Sequence, residues 1–397
     1  MSQNPAGLPA LRVASFPGRG NPNNPYVDLF YDAMEKHAVG LVQELEPTSE
    51  WIQAHREKVD AVHLHWPDVT WRSFTPSRNR RVRAWVQATI PGAWRVIGLV
   101  DRVSATPWAV TQRQKRRKLV GVLHFLAFLR QAKRNGLRII WTFHNVEAHE
   151  GADWMDRWGY RRLARSSDLM IFHSQGARQE AVKRYQPKGA LVVMPHGNYR
   201  GVYPTPRPRE VVFDELGLDP NVPVVSCLGM MREYKGLDTA CEAMRFLGGH
   251  VHLLCAGAPH ASLDLDSLRR LAARAGNVTI VPRFLSNQEF ADYAAISSAL
   301  LLPYRRVTGS GALLAALSLS RGVIASDLPF FRDVLGSNTA AGTLVPPESP
   351  RALSEAIKDY LKLPSETREE AAALLADRYN WCAVVQPVVE VIGGWQK

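Results

Sequence analysis

The sequence predicts an α/β protein made of two doubly wound domains that face each other across a cleft. The chain has 397 residues, which is too long for one ordinary core and sufficient for two domains of ~200 residues each. Short apolar runs alternate with helix-length amphipathic segments, as in repeated β–α units with a parallel sheet. Near the middle, residues 203–209 hold three prolines. This segment cannot continue a helix or a central strand, so it predicts an interdomain linker.

The predicted strands follow this alternation along the chain. Ligands of doubly wound sheets bind beyond the carboxyl ends of the strands, so the loops that follow the strands are the candidate sites. The final residues predict a helix that packs back on the N-terminal domain. The predicted domains are residues 1–202 and 210–380, followed by the C-terminal helix 381–397. The predicted strands are 11–16, 61–64, 137–143, 169–173, 191–194, 222–228, 251–256, 278–281, 299–302, 323–325 and 343–345.

Positive charge is concentrated in the first half of the chain. The formal net charge is +12, yet residues 1–200 hold 30 Lys and Arg against 16 Asp and Glu, and the remaining residues hold 19 against 21. The excess positive charge therefore belongs to the N-terminal half. Such a distribution predicts that this half faces an anionic partner.

One segment, residues 78–118, carries much of this charge and interrupts the β–α alternation. It holds eleven basic residues and one acid, Asp101, interleaved with Trp85, Trp94 and Trp108. Basic side chains beside tryptophans are typical of an in-plane amphipathic helix on an anionic bilayer. The alternative is a helical insertion that packs on its own domain, and no nucleic acid is expected because no nucleic-acid-binding module surrounds the segment. The basic residues are Arg78, Arg80, Arg81, Arg83, Arg95, Arg102, Arg113, Lys115, Arg116, Arg117 and Lys118.

The sequence also predicts the compartment. No apolar stretch reaches the ~18 residues that crossing a bilayer requires, and the start of the chain lacks the pattern of a signal peptide. The four cysteines lie far apart without a C-x-x-C pair, so neither a zinc site nor a disulfide framework is indicated. We therefore expect a cytoplasmic protein, peripheral on the inner face of the cell membrane, that needs no metal and no cofactor.

The strongest local signal is the loop between Gly229 and Gly236. Gly229 ends the first predicted strand of the second domain, and Gly236 begins a helix. Arg232 and Lys235 then lie beside a helix N-terminus, where backbone N–H groups already favour an anion. Two cations there can hold a diphosphate and stabilise the charge that builds on it when it leaves. Ordinary surface charges are the alternative, but their spacing between two glycines favours a phosphate site.

A second candidate anion site follows the predicted strand 299–302. The run Thr308-Gly-Ser-Gly311 opens an apolar helix. The hydroxyls of Thr308 and Ser310 and the bare backbone at Gly311 suit phosphate oxygens at a helix start. The alternative is a simple N-cap by Thr308 or Ser310. Together with the Arg232 and Lys235 loop, this turn predicts a nucleotide-diphosphate site in the second domain.

These motifs resemble those of GT-B glycosyltransferases. Within that group the chain is most similar to bacterial exopolysaccharide enzymes of the GDP-mannose:glycolipid β-1,4-mannosyltransferase type, as in xanthan assembly. The resemblance covers nearly the whole chain and implies a GT-B fold, a nucleotide-sugar donor and a lipid-linked acceptor. The matching motifs are Asn24-Pro-Tyr26, His63-Leu-His-Trp-Pro67, His144-Asn-Val-Glu-Ala-His-Glu150, Pro195-His-Gly-Asn-Tyr-Arg200, G-x-x-R-x-Y-K-G at 229–236, Gly257, Leu302-Pro-Tyr304 and Val345-Pro-Pro-Glu348.

The chain departs from the retaining members of this group in one respect. Those enzymes usually carry two glutamates eight positions apart, and the equivalent positions here are Val307 and Ala315. Neither side chain can hydrogen-bond a ribose or a donor hydroxyl. The departure favours the β-mannosyltransferase-like set and an inverting reaction, which needs one general base on the acceptor hydroxyl.

The base is expected in the first domain, beyond a strand end. Glu150 follows the predicted strand 137–143 and is the first candidate, and Asp68 is the rival after the His65-Trp66-Pro67 run. His144 is expected to contact the donor phosphates or the sugar. His63, inside a strand, is expected to be a packed imidazole. Metal binding by His144 and His149 is disfavoured because both lie in a loop.

Two further residues follow the last strand of the first domain. His196 and Gly197 are expected at the hinge side of the cleft, close to the donor. Alternatively Gly197 makes a turn and His196 packs beneath it.

The sequence as a whole predicts inverting transfer of a hexose, mannose from GDP-mannose first, to a polyprenyl-diphosphate-linked oligosaccharide in exopolysaccharide biosynthesis. Three alternatives stay open: a transferase that uses a UDP- or dTDP-sugar, a nucleotide-sugar epimerase or phosphorylase of the same fold, and a non-catalytic binding protein of polysaccharide assembly. The expected partners are the nucleotide sugar, the lipid-linked acceptor and an anionic membrane surface.

Overall fold

The computed structural model describes residues 10–21, 24–72, 107–144, 153–337 and 339–395. The chain divides into two compact units. One comprises the residues up to Val193 together with those from Pro387 onward, and the other spans Met194–Gln386. Each unit contains a six-stranded sheet whose neighbouring strands all pair in parallel. Helices connect the strands, so the predicted α/β class with one parallel sheet in each half is confirmed.

The first unit alternates strands and helices through its described residues. The sheet order is β2-β1-β3-β4-β5-β6, and all residues of β3 and β5 are buried. Near-continuous apolar strands of this kind are typical of parallel sheets covered on both faces. Its elements are β1 Leu11–Phe16, α1 Tyr26–Glu35, β2 Val39–Glu44, α2 Ser49–His55, β3 Ala61–Leu64, α3 Asp68–Arg72, α4 Pro107–Arg134, β4 Arg138–Phe143, α5 Trp154–Ser166, β5 Leu169–Phe172, α6 Gln175–Tyr185 and β6 Ala190–Val193.

Helix α4 buries one apolar face in the first unit. Val122, Phe125, Leu129 and Ala132 recur at helical spacing and are all buried, whereas Leu123 on another face is 49% exposed. Each buried side chain of this size contributes ~1.5–3 kcal/mol. The amphipathic pattern therefore explains why this long helix docks on its unit while its opposite face stays in water.

The edge strand β2 was absent from the expected strands. It pairs with β1 alone in the described sheet. Its sequence carries Gly40, a poor strand former, and its Val42 is 42% exposed. A strand with one neighbour and a partly exposed face lacks the continuous apolar run that marks the buried strands.

The second unit follows the same rhythm. Its sheet order is β12-β11-β10-β7-β8-β9. The chain enters at β7, adds β8 and β9 on one side and then β10 to β12 on the other, so the order reverses between β7 and β10. Its elements are α7 Arg209–Leu216, β7 Val224–Leu228, α8 Leu237–Met244, β8 His252–Ala256, α9 Leu265–Ala275, β9 Val278–Val281, α10 Asn287–Ile296, β10 Ser297–Leu302, α11 Gly311–Ser318, β11 Val323–Ser326, α12 Pro329–Leu335, β12 Gly342–Val345, α13 Pro350–Leu361, α14 Ser365–Asp377 and α15 Trp381–Val384.

The boundary between the units falls at Val193, before the expected linker at residues 203–209. The segment that follows β6 is fastened to the second unit. Asn198 donates its backbone N–H to the carbonyl of Tyr379 at 2.8 Å, and Tyr199 donates to Ser318 Oγ at 2.8 Å. Arg207 donates to Asp292 at 2.7 Å. These bonds make residues 194–208 part of the second unit, which the proline content alone does not reveal.

The C-terminal segment contains two helices instead of the single one expected at 381–397. Helix α15 belongs to the second unit, and a second helix, α16 Gln386–Gly393, follows it. From Pro387 onward the chain belongs to the first unit, where the Arg138 guanidinium lies 5.4 Å from the centre of the Trp395 ring. The return to the first unit thus begins at Pro387. None of the described helices is both long and apolar enough to cross a membrane.

Candidate functional site

The loop after β7 is shaped by two glycines. Gly229 has φ of 94° and Gly236 has φ of 66°, both in the left-handed region that side-chain-bearing residues rarely adopt. A Cβ on Gly236 would lie 2.0 Å from the carbonyl oxygen of Pro303. Between the glycines, Arg232 precedes a single 3₁₀ turn, Glu233–Lys235. The loop therefore folds back against the end of β10, and only glycine fits at its closing position.

This loop lies at the point where the strand order reverses. Because β7 and β10 are neighbours in the sheet, the loops that follow them meet at its carboxyl edge. This is the place where doubly wound sheets bind their ligands. The sequence predicted both loops as anion sites, and the sheet order brings them together.

Lys235 is the central cation of this edge. Its side chain lines a small open cleft, with Tyr304 and Cys227 among the other lining residues. Its ammonium lies 5.6 Å from the centre of the Tyr304 ring. The pKa of Lys235 is lowered to about 8, chiefly by burial; Cys227 opposes this shift, and the nearby charge of Arg232 adds to it. Lys235 forms no ion pair with a described residue, so an anionic ligand would stabilise its charge.

Two arginines add positive potential near Tyr234, the residue before Lys235. Arg232 and Arg306 both lower the pKa of the Tyr234 hydroxyl, which burial raises, so their charges lie near that ring. The Nε–H of Arg232 contacts Met230 Sδ at 3.3 Å. Neither arginine pairs with a carboxylate in the described part of the chain. Arg306 was not among the predicted site residues, although the pair Arg305-Arg306 directly after Tyr304 was a signal for it.

The turn before α11 has a structural role for Ser310. Its Oγ accepts the N–H of Leu313 at 3.3 Å as the N-cap of α11, and it also hydrogen-bonds the buried Tyr304 hydroxyl. The N-cap alternative is therefore realised for Ser310. Thr308 is half-buried in the same turn. The phosphate-binding role of Thr308, Ser310 and Gly311 stays a prediction.

His196 and Gly197 lie beside this turn within the second unit. The Nδ1–H of His196 donates to the carbonyl of Gly197 at 2.7 Å, and its Nε2 lies 3.4 Å from the hydroxyl of Tyr199. A Cβ on Gly311 would lie 2.8 Å from that same hydroxyl. Burial lowers the pKa of His196 to about 4, so the ring is neutral near pH 7.

Gly197 is fixed by packing. A Cβ at this position would lie 2.2 Å from the Trp381 ring, and the indole N–H donates to the carbonyl of Asn198 at 2.8 Å. Gly197 thus lets the chain close over Trp381, while contact of His196 and Gly197 with a donor remains a prediction.

The strand ends of the first unit bring histidines together. His63 in β3 is fully buried, with the Tyr31 hydroxyl 2.8 Å from Nδ1 and Thr142 Oγ1 2.8 Å from Nε2. Burial, together with the nearby His144, lowers its pKa to about 3. The expectation of a packed imidazole at this position is confirmed.

His144, directly after β4, is held on several sides. It stacks on Trp66 with ring centres 4.4 Å apart and meets the Tyr26 ring edge-on at 4.8 Å. Its Nε2 lies 3.2 Å from Nδ1 of His65, which is 1% exposed. His173, after β5, is a further neighbour at 5.2 Å between ring centres. His65 and His173 were not predicted as site residues, and the signal available was a histidine next to each of these strand ends.

Asp68, the rival base, lies in a charged network. It begins α3, 3.8 Å from Arg72, and the nearby Tyr160 hydroxyl and Arg72 both act to lower its pKa. Burial raises its pKa. Asp156, which is 0% exposed, joins the network through Arg72 at 2.8 Å and Lys118 at 2.6 Å. These contacts connect α3, α4 and α5 and give Asp68 partners within its own unit.

Some of the predicted residues are not described by the structure, and one has a different environment from the one expected. Glu150 and His149 lie outside the described residues, as does the part of the basic segment from 78 to 106. In the rest of that segment, Lys115, Arg116 and Arg117 are exposed on α4. Lys118 turns inward and pairs with Asp153 and Asp156, so this cation does not face solvent as expected. Among the described residues, no group of three or more His, Cys, Asp or Glu side chains is arranged to hold a metal ion.

Two glycosyltransferase families match the chain, one in each part of the sequence. The family described as Glycosyltransferase Family 4 matches residues 74–198, and the family described as Glycosyl transferases group 1 matches residues 222–362. The second match contains both candidate phosphate loops.

Curated relatives extend over most of the chain. The GDP-mannose:glycolipid 4-beta-D-mannosyltransferase of Xanthomonas campestris pv. campestris is 22% identical over 330 residues, which are 81% of this chain and 77% of that protein. The alpha-maltose-1-phosphate synthase of Mycolicibacterium smegmatis is 24% identical over 259 residues, 61% of this chain and 67% of that protein.

Solved structures share the fold. HepE of Anabaena, in complex with UDP, aligns with a TM-score of 0.63 and 11% identity over 97% of this chain and 100% of that one. Sucrose-phosphate synthase of Thermosynechococcus elongatus aligns with a TM-score of 0.60 and 15% identity over 87% of this chain and 77% of that one. The chain therefore has the fold of the GT-B glycosyltransferases and is similar to the GDP-mannose:glycolipid 4-beta-D-mannosyltransferases.

Proposed function

We propose that this glycosyltransferase moves mannose from GDP-mannose, with inversion, onto a polyprenyl-diphosphate-linked oligosaccharide in exopolysaccharide biosynthesis. The observation that carries the proposal is the cluster of Lys235, Arg232 and Arg306 at the carboxyl edge of the second sheet. None of these cations has a carboxylate partner among the described residues, and Lys235 is half-buried. A diphosphate that leaves the sugar develops negative charge, which fixed cations stabilise.

The donor is proposed from the similarity to the curated mannosyltransferases. Those proteins carry GDP-mannose in their names, and they align with 81% of this chain. A UDP- or dTDP-sugar is the alternative donor, and a nucleotide panel separates the three.

Inversion is proposed from Val307 and Ala315. Both stand where retaining relatives have glutamates, and Ala315 is buried in α11. A reaction without those carboxylates uses a single general base on the acceptor hydroxyl. Glu150 is the proposed base, Asp68 the rival, and His144 the proposed contact to the donor.

Membrane docking is proposed through the basic face of the first unit. Lys115, Arg116 and Arg117 are exposed on α4, and Lys118 ties this helix to Asp153, the residue before Trp154. Trp154 is 59% exposed. Exposed cations beside an exposed tryptophan suit the headgroup region of an anionic bilayer.

Binding is tested first, with purified wild-type protein and a thermal-shift panel of GDP, UDP and dTDP and their sugars. Stabilisation by GDP and GDP-mannose above the others is expected. Transfer is then measured with radiolabelled GDP-mannose and a polyprenyl-diphosphate oligosaccharide.

Arg232→Ala and Lys235→Ala are expected to lower the transfer rate by about a hundredfold without lowering the melting temperature to a matching extent. Full activity in both single variants would refute the role of the cation cluster. A soluble epimerase would interconvert nucleotide sugars and ignore anionic vesicles, and a non-catalytic binding protein would bind a nucleotide sugar without turnover.

A further inference from the structure

Arg305 is enclosed by partners on three sides. Its Nη1–H donates to the carbonyl of Glu233 at 2.5 Å, its Nη2–H to Asp238 at 2.6 Å and its Nε–H to Glu348 at 2.9 Å. Its backbone N–H donates to the carbonyl of Tyr234 at 2.8 Å. One residue thus uses all three guanidinium nitrogens and its backbone.

The partners of Arg305 come from three separate segments. Glu233 and Tyr234 lie in the 3₁₀ turn of the β7 loop, Asp238 lies in the first turn of α8, and Glu348 follows β12. Arg305 itself follows β10. A single planar side chain therefore joins the two candidate phosphate loops to each other and to the β12 loop, and its fixed fork geometry suits such multiple contacts.

The neighbours of Arg305 are the groups that define the cation cluster. Tyr304 lies under the Lys235 ammonium, and Arg306 lies near Tyr234. Because the side chain of Arg305 holds the carbonyl of Glu233, it fixes the turn that carries Lys235. Its own charge is matched by Asp238 and Glu348, so it has little left to offer a ligand.

We propose that Arg305 is a positioning residue for nucleotide-diphosphate binding: it preorganises the turn that carries Lys235 and neutralises two carboxylates that would otherwise repel the diphosphate. This inference rests on the proposed function. Loss of Arg305 leaves Asp238 and Glu348 unpaired at the edge of the site, and it frees the turn to sample other conformations. Both effects weaken the binding of a dianionic group.

Arg207 provides a matched control. It also donates through all three nitrogens to two carboxylates, Asp292 at 2.7 Å and Glu215 at 2.7 and 2.8 Å. It lies in the same unit but joins the segment before α7 to α10, away from the phosphate loops. Arg207→Met therefore removes a similar set of bonds without touching the candidate site.

The test measures the dissociation constants of GDP, UDP and dTDP by titration calorimetry for wild type, Arg305→Met and Arg207→Met. Arg305→Met is expected to weaken the preferred nucleotide about tenfold, while Arg207→Met leaves its affinity unchanged. In the transfer assay, Arg305→Met is expected to raise KM for the donor more than it lowers kcat. Adding Asp238→Asn and Glu348→Gln to Arg305→Met is expected to restore part of the affinity, because the unpaired charges are then gone.

The outcomes separate the inference from the proposed function. Wild-type affinity in Arg305→Met, or an equal loss in Arg207→Met, overturns the positioning role and leaves the proposed function standing. A wild-type protein that binds none of the three nucleotides overturns the proposed function itself. If Arg305→Met does not fold, Arg305→Lys decides: it keeps a charge beside the two carboxylates but cannot reach all three segments, so a smaller loss of affinity than for Arg305→Met is expected, and wild-type affinity overturns the positioning of the turn.

Discussion

At the scale of single residues, the charge of Lys235 depends on its surroundings. An exposed lysine titrates near ~10.4, whereas burial brings the pKa of Lys235 to about 8. The ammonium is thus charged at neutral pH but loses its proton within a moderately alkaline range. Its role as a phosphate ligand should fade over that range.

We expect donor affinity to fall as pH rises above about 8, because Lys235 then becomes neutral. A bound diphosphate would raise the pKa of Lys235, so the fall in free enzyme is seen in kcat/KM rather than in kcat. Lys235→Arg should retain its charge and its donor affinity through pH 10. The pH profile of kcat/KM for both proteins checks this, and parallel profiles would assign the titration to another group.

The same lowered pKa affects the stability of the fold. At pH values between the folded pKa of about 8 and the ordinary lysine pKa of ~10.4, Lys235 is protonated more often in the unfolded chain than in the folded chain. Stability therefore gains from this group as pH rises through that window, and the desolvation penalty is fully present below it. Removing the charge with Lys235→Met should raise the free energy of unfolding at pH 7 while it lowers donor affinity.

The choice of general base is also decided at single residues. Asp68 is held by Arg72 within its own unit, so Asp68→Asn should leave kcat close to that of the wild type. Glu150→Gln should lower kcat by ~10²–10⁴, the usual contribution of a general base, with little effect on melting. Rapid-quench transfer kinetics and thermal unfolding on both variants distinguish them. The reverse pattern would make Asp68 the base.

Sequence reasoning at this scale reached the residues that carry a local pattern. The two glycines, Arg232 and Lys235 could be found because a strand end and a helix start bracket them. His65 could not be assigned, because its contact with His144 joins positions far apart in the chain and depends on the pairing of β3 with β4. Arg306 was not predicted for a related reason. The sequence does not reveal whether Arg305 or Arg306 is neutralised by carboxylates that are distant in the chain.

At the scale of elements, the left-handed turn at Gly236 determines how the β7 loop contacts the end of β10. Gly236→Ala would place a Cβ 2.0 Å from Pro303 in a left-handed conformation. Gly217, which ends α7 with φ of 62°, has open space around the same position. The pair separates backbone strain from steric clash.

We expect Gly217→Ala to cost ~1 kcal/mol of unfolding free energy, the usual strain of a left-handed alanine. Gly236→Ala should cost ~2–4 kcal/mol and should weaken GDP binding as well, because the loop must move away from β10. Urea denaturation and calorimetry measure both quantities. Equal effects of the two substitutions would show that the contact with Pro303 is not restrictive.

The elements that the sequence predicted well are the ones buried on both faces. Strands β1 and β3 begin and end where the apolar runs predicted, since burial demands an unbroken apolar segment. The edge strand β9, whose four residues are only partly buried, was also predicted with the correct bounds, because its run Val278-Thr-Ile-Val281 is rich in β-branched residues. The edge strand β2 was not predicted, because a strand with one partner and a partly exposed face does not need an unbroken apolar segment. The sequence also did not predict that the C-terminal segment is divided into α15 and α16, because the apolar pattern continues across both helices.

At the scale of the whole molecule, the uneven charge is the feature that the sequence shows most directly. The first 200 residues carry the entire positive excess. The unit boundary was harder to place. Prolines mark where a helix or strand cannot form, but the side of the boundary to which residues 194–208 belong is decided by hydrogen bonds such as those of Asn198 and Arg207.

The last prediction concerns the surface that this charge forms. We expect reversal of Lys115, Arg116 and Arg117 to Glu to weaken binding to vesicles rich in phosphatidylglycerol by about a hundredfold at low salt, since each basic residue near an anionic surface contributes ~1 kcal/mol. The matched control reverses Arg269, Arg270 and Arg274, which are exposed on α9 of the second unit. Flotation of both variants with anionic and neutral vesicles, with and without 0.5 M salt (roughly a 4 Å screening length), measures the effect. An equal loss in the control variant would show that vesicle binding depends only on the net charge of the protein. Unchanged flotation of the α4 variant would show that α4 does not contact the membrane. An unchanged melting temperature in both variants shows that they remain folded, so a loss of flotation by the α4 variant alone places the docking surface on the first unit.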